Sequence, residues 1–364
     1  MSIYDVIIVG GGVAGCSAAL SAAKENLKVC LIEKLSLLGG LATSGLINWY
    51  EPLCDGNGKQ LIFGQAEDFF NLALKYGYST YDSNWSINGK RKSSWFNHNL
   101  FALSLNRLMI ENDIYIEYES LVTDVIIENK TIKGIVLENI EGKKVIYAKT
   151  FIDASGNAIL FRKSNIDVIL GENYLTYATT NYLNKGIGKP IFKYSGANAY
   201  GKGHPKNLKY FNGLKQSDIN EYLTLAQNLA LDDFENQRIN DISSLPSMPQ
   251  FRKIAAICGQ YTLSNKDKNK YNVDSIGVIG AFYKSGEYFE IPLGCLYSNK
   301  INNLFAAGRI ISANEDAWEA IRTIPVGILT GEICGILAKS YLTNSFKLDL
   351  IQEKIINRDI KLHY

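Results

Sequence analysis

Residues 4–33 read YDVIIVGGGVAGCSAALSAAKENLKVCLIE, and this stretch decides the fold. The β-branched run 6–9 is typical of a strand, three glycines interrupt it, and the small residues at 14–23 suit a helix. The 18 uncharged residues from 6 to 23 approach the length of a membrane span. However, three consecutive glycines favour a tight turn, and Asp5 lies where a signal peptide is positively charged. We therefore expect this stretch to form a strand, a turn and a helix and not to insert into a membrane. We also expect the protein to be cytoplasmic.

Gly10, Gly12 and Gly15 complete a G-x-G-x-x-G pattern at this turn. In dinucleotide-binding proteins the first glycine permits the turn, the second lets the backbone approach a pyrophosphate, and the third lets the helix pack closely. A second apolar strand ends at Glu33, 18 residues after Gly15, where an acid can bind a ribose. An acid at this position favours FAD or NAD over NADP. The stretch therefore predicts a dinucleotide site, and a glycine-rich corner without a ligand is the less favoured alternative.

Three later stretches favour a flavin over a nicotinamide dinucleotide. They are GGLATSG at 39–45, the apolar strand and turn FIDASG at 151–156, and NLFAAGR at 303–309. A helix is predicted from about Pro325, because proline suits the first turn of a helix. Small residues spaced by four within 327–335 would let this helix pack closely on the sheet.

With these motifs, the sequence resembles the FAD-dependent oxidoreductase superfamily that includes fumarate reductase flavoproteins and p-hydroxybenzoate hydroxylase. Within it, the sequence is most similar to a bacterial family labelled FAD-dependent oxidoreductase. The likeness covers about half of the chain, in the stretches VGGGVAG with Glu33, GGLATSG, DASGNA, IPLGCLYSNKINNLFAAGR and IRTIPVGILTGEICG. It implies an α/β fold: a Rossmann-like FAD-binding domain, with a parallel sheet and a β-meander, plus an interleaved α+β substrate-capping domain.

The resemblance also implies which residues bind FAD. For the ADP half they are Gly10, Gly12, Val13, Ala14, Gly15, Glu33 and Lys34, with the backbone of Val122 at the adenine. Further along the cofactor they are Gly39, Gly40, Ala42, Thr43, Ala154, Ser155, Gly156, Gly308 and Arg309, with Ile324, Val326 and Gly327 at the flavin ring. The chain departs from the superfamily twice: Arg309 replaces a common aspartate, and the segment 252–259 lacks most of the charge found there in the family.

The motifs predict two interleaved domains and a tail. The FAD-binding domain comprises residues 1–46, 99–165 and 291–345, the capping domain 47–98 and 166–290, and the helical tail 346–364. Helices are predicted at 65–76, 99–111, 217–236 and 348–360, a parallel strand at 114–118, a three-stranded meander over 125–147, and a strand at 273–283. We expect the polar stretch 184–213 to be either a mobile lid or a plain surface loop.

Arg322 is the leading candidate for a protein group at the reaction centre, because it lies three residues before Pro325. A guanidinium at the entrance of the ring-facing helix can hold a substrate carboxylate or stabilise negative charge on the ring. The alternative is a structural ion pair with Glu319 or Glu315. His204 can supply a base from the polar stretch, and Tyr177 can orient a substrate oxygen, although most tyrosines simply pack.

Composition excludes several classes of function. The chain has 38 Lys and Arg against 36 Asp and Glu, so a net charge of +2 gives no reason to expect nucleic acid or a membrane surface as partner. Its six cysteines form no CxxC pair and have no histidine at ligand spacing, so we predict no metal site. A second G-x-G-x-x-G is missing, which argues against a pyridine-nucleotide disulfide reductase.

These observations favour an FAD-dependent oxidoreductase that transfers hydride between a small organic substrate and flavin N5. A flavin monooxygenase using a C4a-peroxide is the first alternative. A flavin protein that modifies a macromolecule such as tRNA, or a non-catalytic flavoprotein, is the second. A monomer and a homodimer both stay open.

Overall fold

The computed structural model describes residues 3–78, 81–87, 89–182, 190–198, 200–239 and 241–364. The strands are β1 (Tyr4–Val9), β2 (Val29–Ile32), β3 (Trp49–Tyr50), β4 (Ser94–Trp95), β5 (Tyr115–Glu117), β6 (Leu121–Glu128), β7 (Thr131–Asn139), β8 (Gly142–Asp153), β9 (Val168–Leu170), β10 (Thr176–Tyr182), β11 (Pro190–Gly196), β12 (Ala255–Ile257), β13 (Ser275–Gly280), β14 (Tyr288–Pro292) and β15 (Leu304–Ala306). The helices are α1 (Val13–Lys24), α2 (Gln65–Lys75), α3 (His98–Glu111), α4 (Ile159–Lys163), α5 (Gln216–Glu235), α6 (Glu315–Ile321), α7 (Ile324–Leu342) and α8 (Leu348–Ile356).

The central sheet has seven strands in the order β5-β2-β1-β8-β7-β6, and β15 also pairs with β8. The pairs β1–β2, β1–β8, β2–β5 and β8–β15 are parallel, which confirms the predicted parallel sheet and the parallel strand at 114–118. Val9 lies opposite Ile32 on one side and Asp153 on the other. The turn after β1, the acid after β2 and the loop after β8 therefore meet at one sheet edge, where ligands of such folds bind.

The predicted β-meander is confirmed as β6-β7-β8, but its last strand is longer than expected. We expected separate strands at 144–147 and 151–153, and that division is wrong. The 12-residue strand β8 pairs antiparallel with β7 through its first half and parallel with β1 through its second half. Since no glycine or proline interrupts residues 143–153, the strand continues directly from the meander into the parallel sheet.

Helices α1 and α7 pack at very short range because small residues line both. A Cβ added to Gly331 would lie 2.2 Å from the Ala14 carbonyl oxygen. Ser17 Oγ donates a hydrogen bond of 2.7 Å to the carbonyl oxygen of Ile328 on α7. Among the described residues no single helix is long and apolar enough to cross a membrane, although α6 and α7 together, bent by 83°, pass that test of length and composition.

A second, smaller core lies in the predicted capping domain. Strands β10 and β11 pair antiparallel, and α5 packs on them around Phe211, Tyr222 and Phe251. The expected loop at 184–213 is wrong over β11, because pairing with β10 draws residues 190–196 into a strand. Residues 184–189 and 199 of that stretch lie outside the described residues. The tail helix α8 also ends earlier than predicted, at Ile356.

Gln250 connects this small sheet to the last glycine of GGLATSG, Gly45. Its Oε1 accepts a hydrogen bond of 2.7 Å from the N–H of Ala178 on β10. Its Nε2 donates to the carbonyl oxygens of Gly45 at 2.7 Å and Ala178 at 3.1 Å. A buried side-chain amide that uses both of its ends in this way fixes β10 against residue 45.

Candidate functional site

The three glycines of the first turn differ in what surrounds them. Gly10 has a φ of 103°, and a Cβ there would lie 2.5 Å from the Ala154 carbonyl oxygen. A Cβ on Gly15 would lie 1.8 Å from the Gly10 carbonyl oxygen, so this glycine permits close packing of α1 on β1. Gly12 has an ordinary φ of −66°, and a Cβ there would meet nothing within 4 Å. The fold therefore requires glycine at positions 10 and 15, but not at 12.

A cavity of about 240 Å³ opens on that free side of Gly12. Arg322 and all of the predicted FAD-binding residues line it except Gly15, Thr43, Val122 and Val326. The cavity thus collects segments that are far apart in the chain: the first turn, the loop after β8, the loop after β15, and the start of α7. Leu35, Leu41, Asn157, Ala307 and Thr323 also line it, although the sequence analysis did not single them out.

The four predicted FAD-binding residues outside the lining have other contacts. Thr43 Oγ1 donates a hydrogen bond of 2.6 Å to the Leu38 carbonyl oxygen and so stabilises the turn that carries Gly39 and Gly40. Val122 is buried on β6 and Val326 is buried on α7. Their direct contacts with a cofactor stay predictions.

Glu33, the acid after β2, forms a hydrogen bond to the glycine turn after β1. One carboxylate oxygen accepts a hydrogen bond of 2.6 Å from the Gly11 N–H, and the other accepts one of 2.8 Å from the Leu35 N–H. Burial raises the pKa of this carboxyl group, although both backbone N–H groups favour its charged form. Beside it, burial lowers the pKa of Lys34.

Arg309 contributes a cation next to the turn after β8. Its Nε donates a hydrogen bond of 3.1 Å to the Gly156 carbonyl oxygen. Burial, together with the neighbouring Arg252 and Arg322, lowers the pKa of Arg309 to about 10. Within the described parts of the chain, no carboxylate forms an ion pair with Arg309. A bound anion would therefore stabilise the charged form of Arg309.

Arg322 lies between α6 and α7, with its guanidinium held on two sides. Its Nε and Nη2 both lie 2.5 Å from Oε2 of Glu319, so one of the two predicted structural ion pairs is present. The guanidinium also stacks on Phe282, with Cζ at 4.9 Å from the ring centroid. Because Arg322 lines the cavity as well, the ion pair holds the side chain in position and does not remove it from the site.

His204 and Tyr177 do not line the cavity. His204 Nδ1 accepts a hydrogen bond from the Leu175 N–H at 3.0 Å, and Nε2 lies 3.0 Å from the Leu208 carbonyl oxygen. Both ring nitrogens are therefore used by the backbone. Tyr177 is buried in the core under α5, and burial raises its pKa. The predicted roles of His204 as a base and of Tyr177 in orienting a substrate oxygen have no support from their position.

Six residues of the predicted capping domain, which the sequence analysis missed, line one side of the cavity. They are Gly213, Ile219, Met248, Pro249, Phe251 and Ile254. Four of them, Met248, Pro249, Phe251 and Ile254, are near one another in the sequence, and they form no motif. Their apolar character was the one available signal, and it is equally typical of core residues.

The lining suits a dinucleotide. The free side of Gly12 leaves room for a group at the start of α1, where no side chain caps the helix. A helix N-terminus binds phosphate through its N–H groups and its dipole. Lys34 and Arg309 add positive charge, and Glu33 can accept hydrogen bonds from a ribose. Among the described residues, no group of three or more His, Cys, Asp or Glu side chains could hold a metal ion.

Comparison with known proteins agrees with this geometry. A family model described as FAD dependent oxidoreductase matches residues 5–221 and 212–358. A stretch of 71 residues is 39% identical to NADH:acrylate oxidoreductase from Vibrio harveyi, and covers 19% of this chain and 7% of that protein. A stretch of 81 residues is 38% identical to cinnamate reductase from Clostridium sporogenes, and covers 19% of this chain and 12% of that protein. The matched part is thus a small fraction of both curated relatives.

Solved structures resemble the chain over nearly its whole length. BexE, a protein of BE-7585A biosynthesis, has a TM-score of 0.50 at 12% identity, over 98% of this chain and 66% of that one. The p-nitrophenol 4-monooxygenase PnpA from Pseudomonas putida has a TM-score of 0.49 at 12% identity, over 97% and 84% of the two chains. At such identity, the likeness to BexE concerns the fold alone.

Proposed function

The chain belongs to the FAD-dependent oxidoreductase family, and on that premise we propose that it transfers hydride between a small organic substrate and N5 of FAD, with Arg322 orienting an anionic or carbonyl group of the substrate. FAD is the cofactor, and when bound it supplies the hydride acceptor or donor. The residues of the chain bind and orient the two reactants and exclude water from them.

One observation carries the proposal: Arg322 presents a guanidinium to the same cavity that the glycine turn lines. Glu319 and Phe282 hold that guanidinium in place, so little side-chain freedom is lost when a substrate binds. A guanidinium with two parallel N–H groups matches the geometry of a carboxylate and also stabilises a carbonyl oxygen that gains negative charge.

The start of α7 adds to this positive potential. Ile324 and Gly327 line the cavity, and Thr323 is the N-cap of the helix without a side-chain capping bond. The Oγ1 of Thr323 is buried and has no hydrogen-bond partner among the described residues. A helix N-terminus carries roughly half a positive charge and favours negative charge at this end of the cavity.

The capping domain excludes water from the same space. Met248, Pro249, Phe251 and Ile254 present apolar surface to the cavity. Since apolar walls lower the local dielectric constant, the attraction between Arg322 and an anionic group is stronger there than in water.

The proposal is tested with FAD-reconstituted protein under anaerobic conditions. Reduced methyl viologen is offered with a panel of 2-enoates, and a dye acceptor is offered with 2-hydroxy acids and 2-amino acids. We expect turnover with at least one member, and Arg322→Met should retain FAD but lose most of that turnover. Failure to bind FAD would overturn the proposal, as would oxygen-dependent hydroxylation of a substrate in place of hydride transfer.

A further inference from the structure

A second guanidinium, that of Arg252, lies beside Arg322 in a small polar cavity. This cavity has a volume of about 20 Å³ and is lined by Asn173, Thr176 and Gln250 in addition to the two arginines. Arg322 lines both this cavity and the larger one, so it forms a common wall between them. A volume of this size holds about one water molecule or one carboxylate oxygen, which is too small for a whole phosphate group.

The hydrogen bonds of Arg252 leave one of its donors unused. Its Nη1 donates to the Gln250 carbonyl oxygen at 2.9 Å, and its backbone N–H donates to Asn173 Oδ1 at 2.8 Å. Its Nη2 is buried and has no hydrogen-bond partner of normal geometry among the described residues, although the nearby Tyr194 side chain interacts with the guanidinium. Buried donors of charged groups are rarely left without an acceptor, so Nη2 indicates that a ligand atom completes the site.

Positive charge exceeds negative charge around this cavity. Arg252, Lys253 and Arg322 all line it, and Glu319 is shared between two of them, at 2.7 Å from Lys253 and 2.5 Å from Arg322. In the described part of the chain, Arg252 itself forms no ion pair with a carboxylate. The other acidic residue of the lining, Glu172, is exposed to solvent.

The arginines also affect each other directly. Burial lowers the pKa of Arg252; Tyr194 opposes this effect, and Arg322 lowers the pKa further. Guanidiniums that repel one another in a low-dielectric site are stabilised by an anion that contacts both. An anion that contacts both guanidiniums would lie where the two cavities share Arg322.

We propose that Arg252 and Arg322 together bind a carboxylate group of the substrate, which makes the substrate a small organic acid. The inference rests on the proposed function and adds to it a substrate-binding residue from the capping domain. One carboxylate oxygen occupies the small cavity and accepts a hydrogen bond from Arg252 Nη2, while the carboxylate also contacts Arg322. The rest of the substrate then extends into the larger cavity.

The test measures binding to FAD-loaded protein by calorimetry, without any need for turnover. The probes are acetate and benzoate, each paired with its neutral amide of the same shape. We expect at least one carboxylate to bind about tenfold more tightly than its amide, a difference of about 1.4 kcal/mol. Equal affinity for acid and amide in both pairs, or no binding of either acid, overturns the inference.

Two variants connect the preference to Arg252. Arg252→Gln should weaken carboxylate binding at least about tenfold and leave amide binding unchanged, while Arg252→Lys should fall between it and the wild type. The matched control is Arg238→Gln, because Arg238 lies in the same domain, is paired with Asp233 and is largely exposed. Wild-type affinity of both Arg252 variants for the carboxylates contradicts the proposal.

The FAD content of every protein, read from its visible absorbance, separates this inference from the proposed function. If the wild type binds no FAD, the proposed function fails, and carboxylate binding is still measured on the protein as purified. If FAD and carboxylates bind but no hydride is transferred, the anion site stands and the proposed reaction fails. A melting curve for each variant shows whether a loss of affinity follows from a loss of folding.

Discussion

The carboxylate of Glu33 accepts a hydrogen bond of 2.6 Å from the backbone N–H of Gly11, so the acid that ends β2 holds the turn that follows β1. The same side chain lines the cavity. A residue that sequence motifs assign to the ribose therefore also stabilises the turn before any ligand binds. Replacing it should affect both the protein alone and its affinity for FAD.

The first prediction concerns pH. Because burial raises the pKa of Glu33 above its ordinary 4.5, the folded protein binds more protons than the unfolded chain between those two pKa values. The stability that this shift contributes is fully present below the unfolded pKa and is lost as pH rises through the folded pKa. Relative to Glu33→Gln, the free energy of unfolding of the wild type should therefore fall across that window, as measured by urea unfolding.

The control for this prediction is Glu128→Gln, which removes an exposed carboxylate from β6. Its difference from the wild type should vary little over the same pH range. A pH-independent difference between the wild type and Glu33→Gln would contradict the raised pKa of Glu33.

The second prediction compares two glycines of one turn. Gly12→Ala should fold, because its Cβ meets nothing within 4 Å, and should cost at most about 1 kcal/mol as a helix N-cap. It should nevertheless lose FAD affinity by about tenfold or more, since the second glycine of this motif lies against the pyrophosphate. Gly15→Ala should instead destabilise the fold by about 1–3 kcal/mol, because its Cβ would lie 1.8 Å from the Gly10 carbonyl oxygen.

Melting curves and fluorescence titration with FAD measure the two effects separately. Unchanged FAD affinity in Gly12→Ala would show that the cofactor does not approach this glycine. A melting temperature of Gly15→Ala equal to that of the wild type would show that α1 can move away from β1 at little cost.

The third prediction concerns the ring beneath Arg322. Phe282→Leu removes a cation–π contact worth about 0.5–2 kcal/mol, so the guanidinium should lose part of its preferred orientation. We expect turnover to fall about twofold to thirtyfold with the FAD content unchanged. Phe282→Tyr keeps the ring face and should stay close to the wild type, whereas equal losses in both variants would indicate a general packing defect.

Local motifs made part of this site predictable. The turn at Gly10 to Gly15 and the acid at position 33 are local in the sequence, and parallel pairing of β1 with β2 and β8 brings them to one edge. The position of Arg322 at the cavity was predictable because Pro325 marks the start of α7. A residue just before the first turn of a helix lies next to whatever the N-terminus of that helix faces.

The remaining parts depend on contacts that no local pattern encodes. Met248 to Phe251 reach the cavity because Gln250 bonds both to β10 and to residue 45, which are distant in the chain. His204 was assigned to proton transfer from its residue type alone, and the sequence does not reveal that two backbone groups use its nitrogens. Arg252 was not predicted as a site residue, because its segment carries little other charge. The fold nevertheless brings it next to Arg322.

The last prediction concerns Gln250, which links the two predicted domains. Gln250→Glu keeps an acceptor for the Ala178 N–H but replaces a donor with a carboxylate oxygen that faces the carbonyl oxygens of Gly45 and Ala178. A buried, ionised and unpaired carboxylate is costly, so we expect a loss of about 3–5 kcal/mol at neutral pH. Hydrogen exchange of β10 and of residues 41–47 should rise, and FAD should dissociate faster.

The pH dependence of the stability of this variant distinguishes the loss of the donated hydrogen bonds from a change in side-chain packing. Burial should raise the pKa of the introduced carboxyl group above its unfolded value of about 4.3, so the added stability of its protonated form is present below that value and is lost as pH rises. Protonation also restores one O–H donor towards the Gly45 carbonyl oxygen. We therefore expect the defect to shrink on acidification, whereas Gln237→Glu, at an exposed position, should show no such recovery. If the stability loss of Gln250→Glu is equal at all pH values, side-chain packing, and not the donated hydrogen bonds, holds the two predicted domains together.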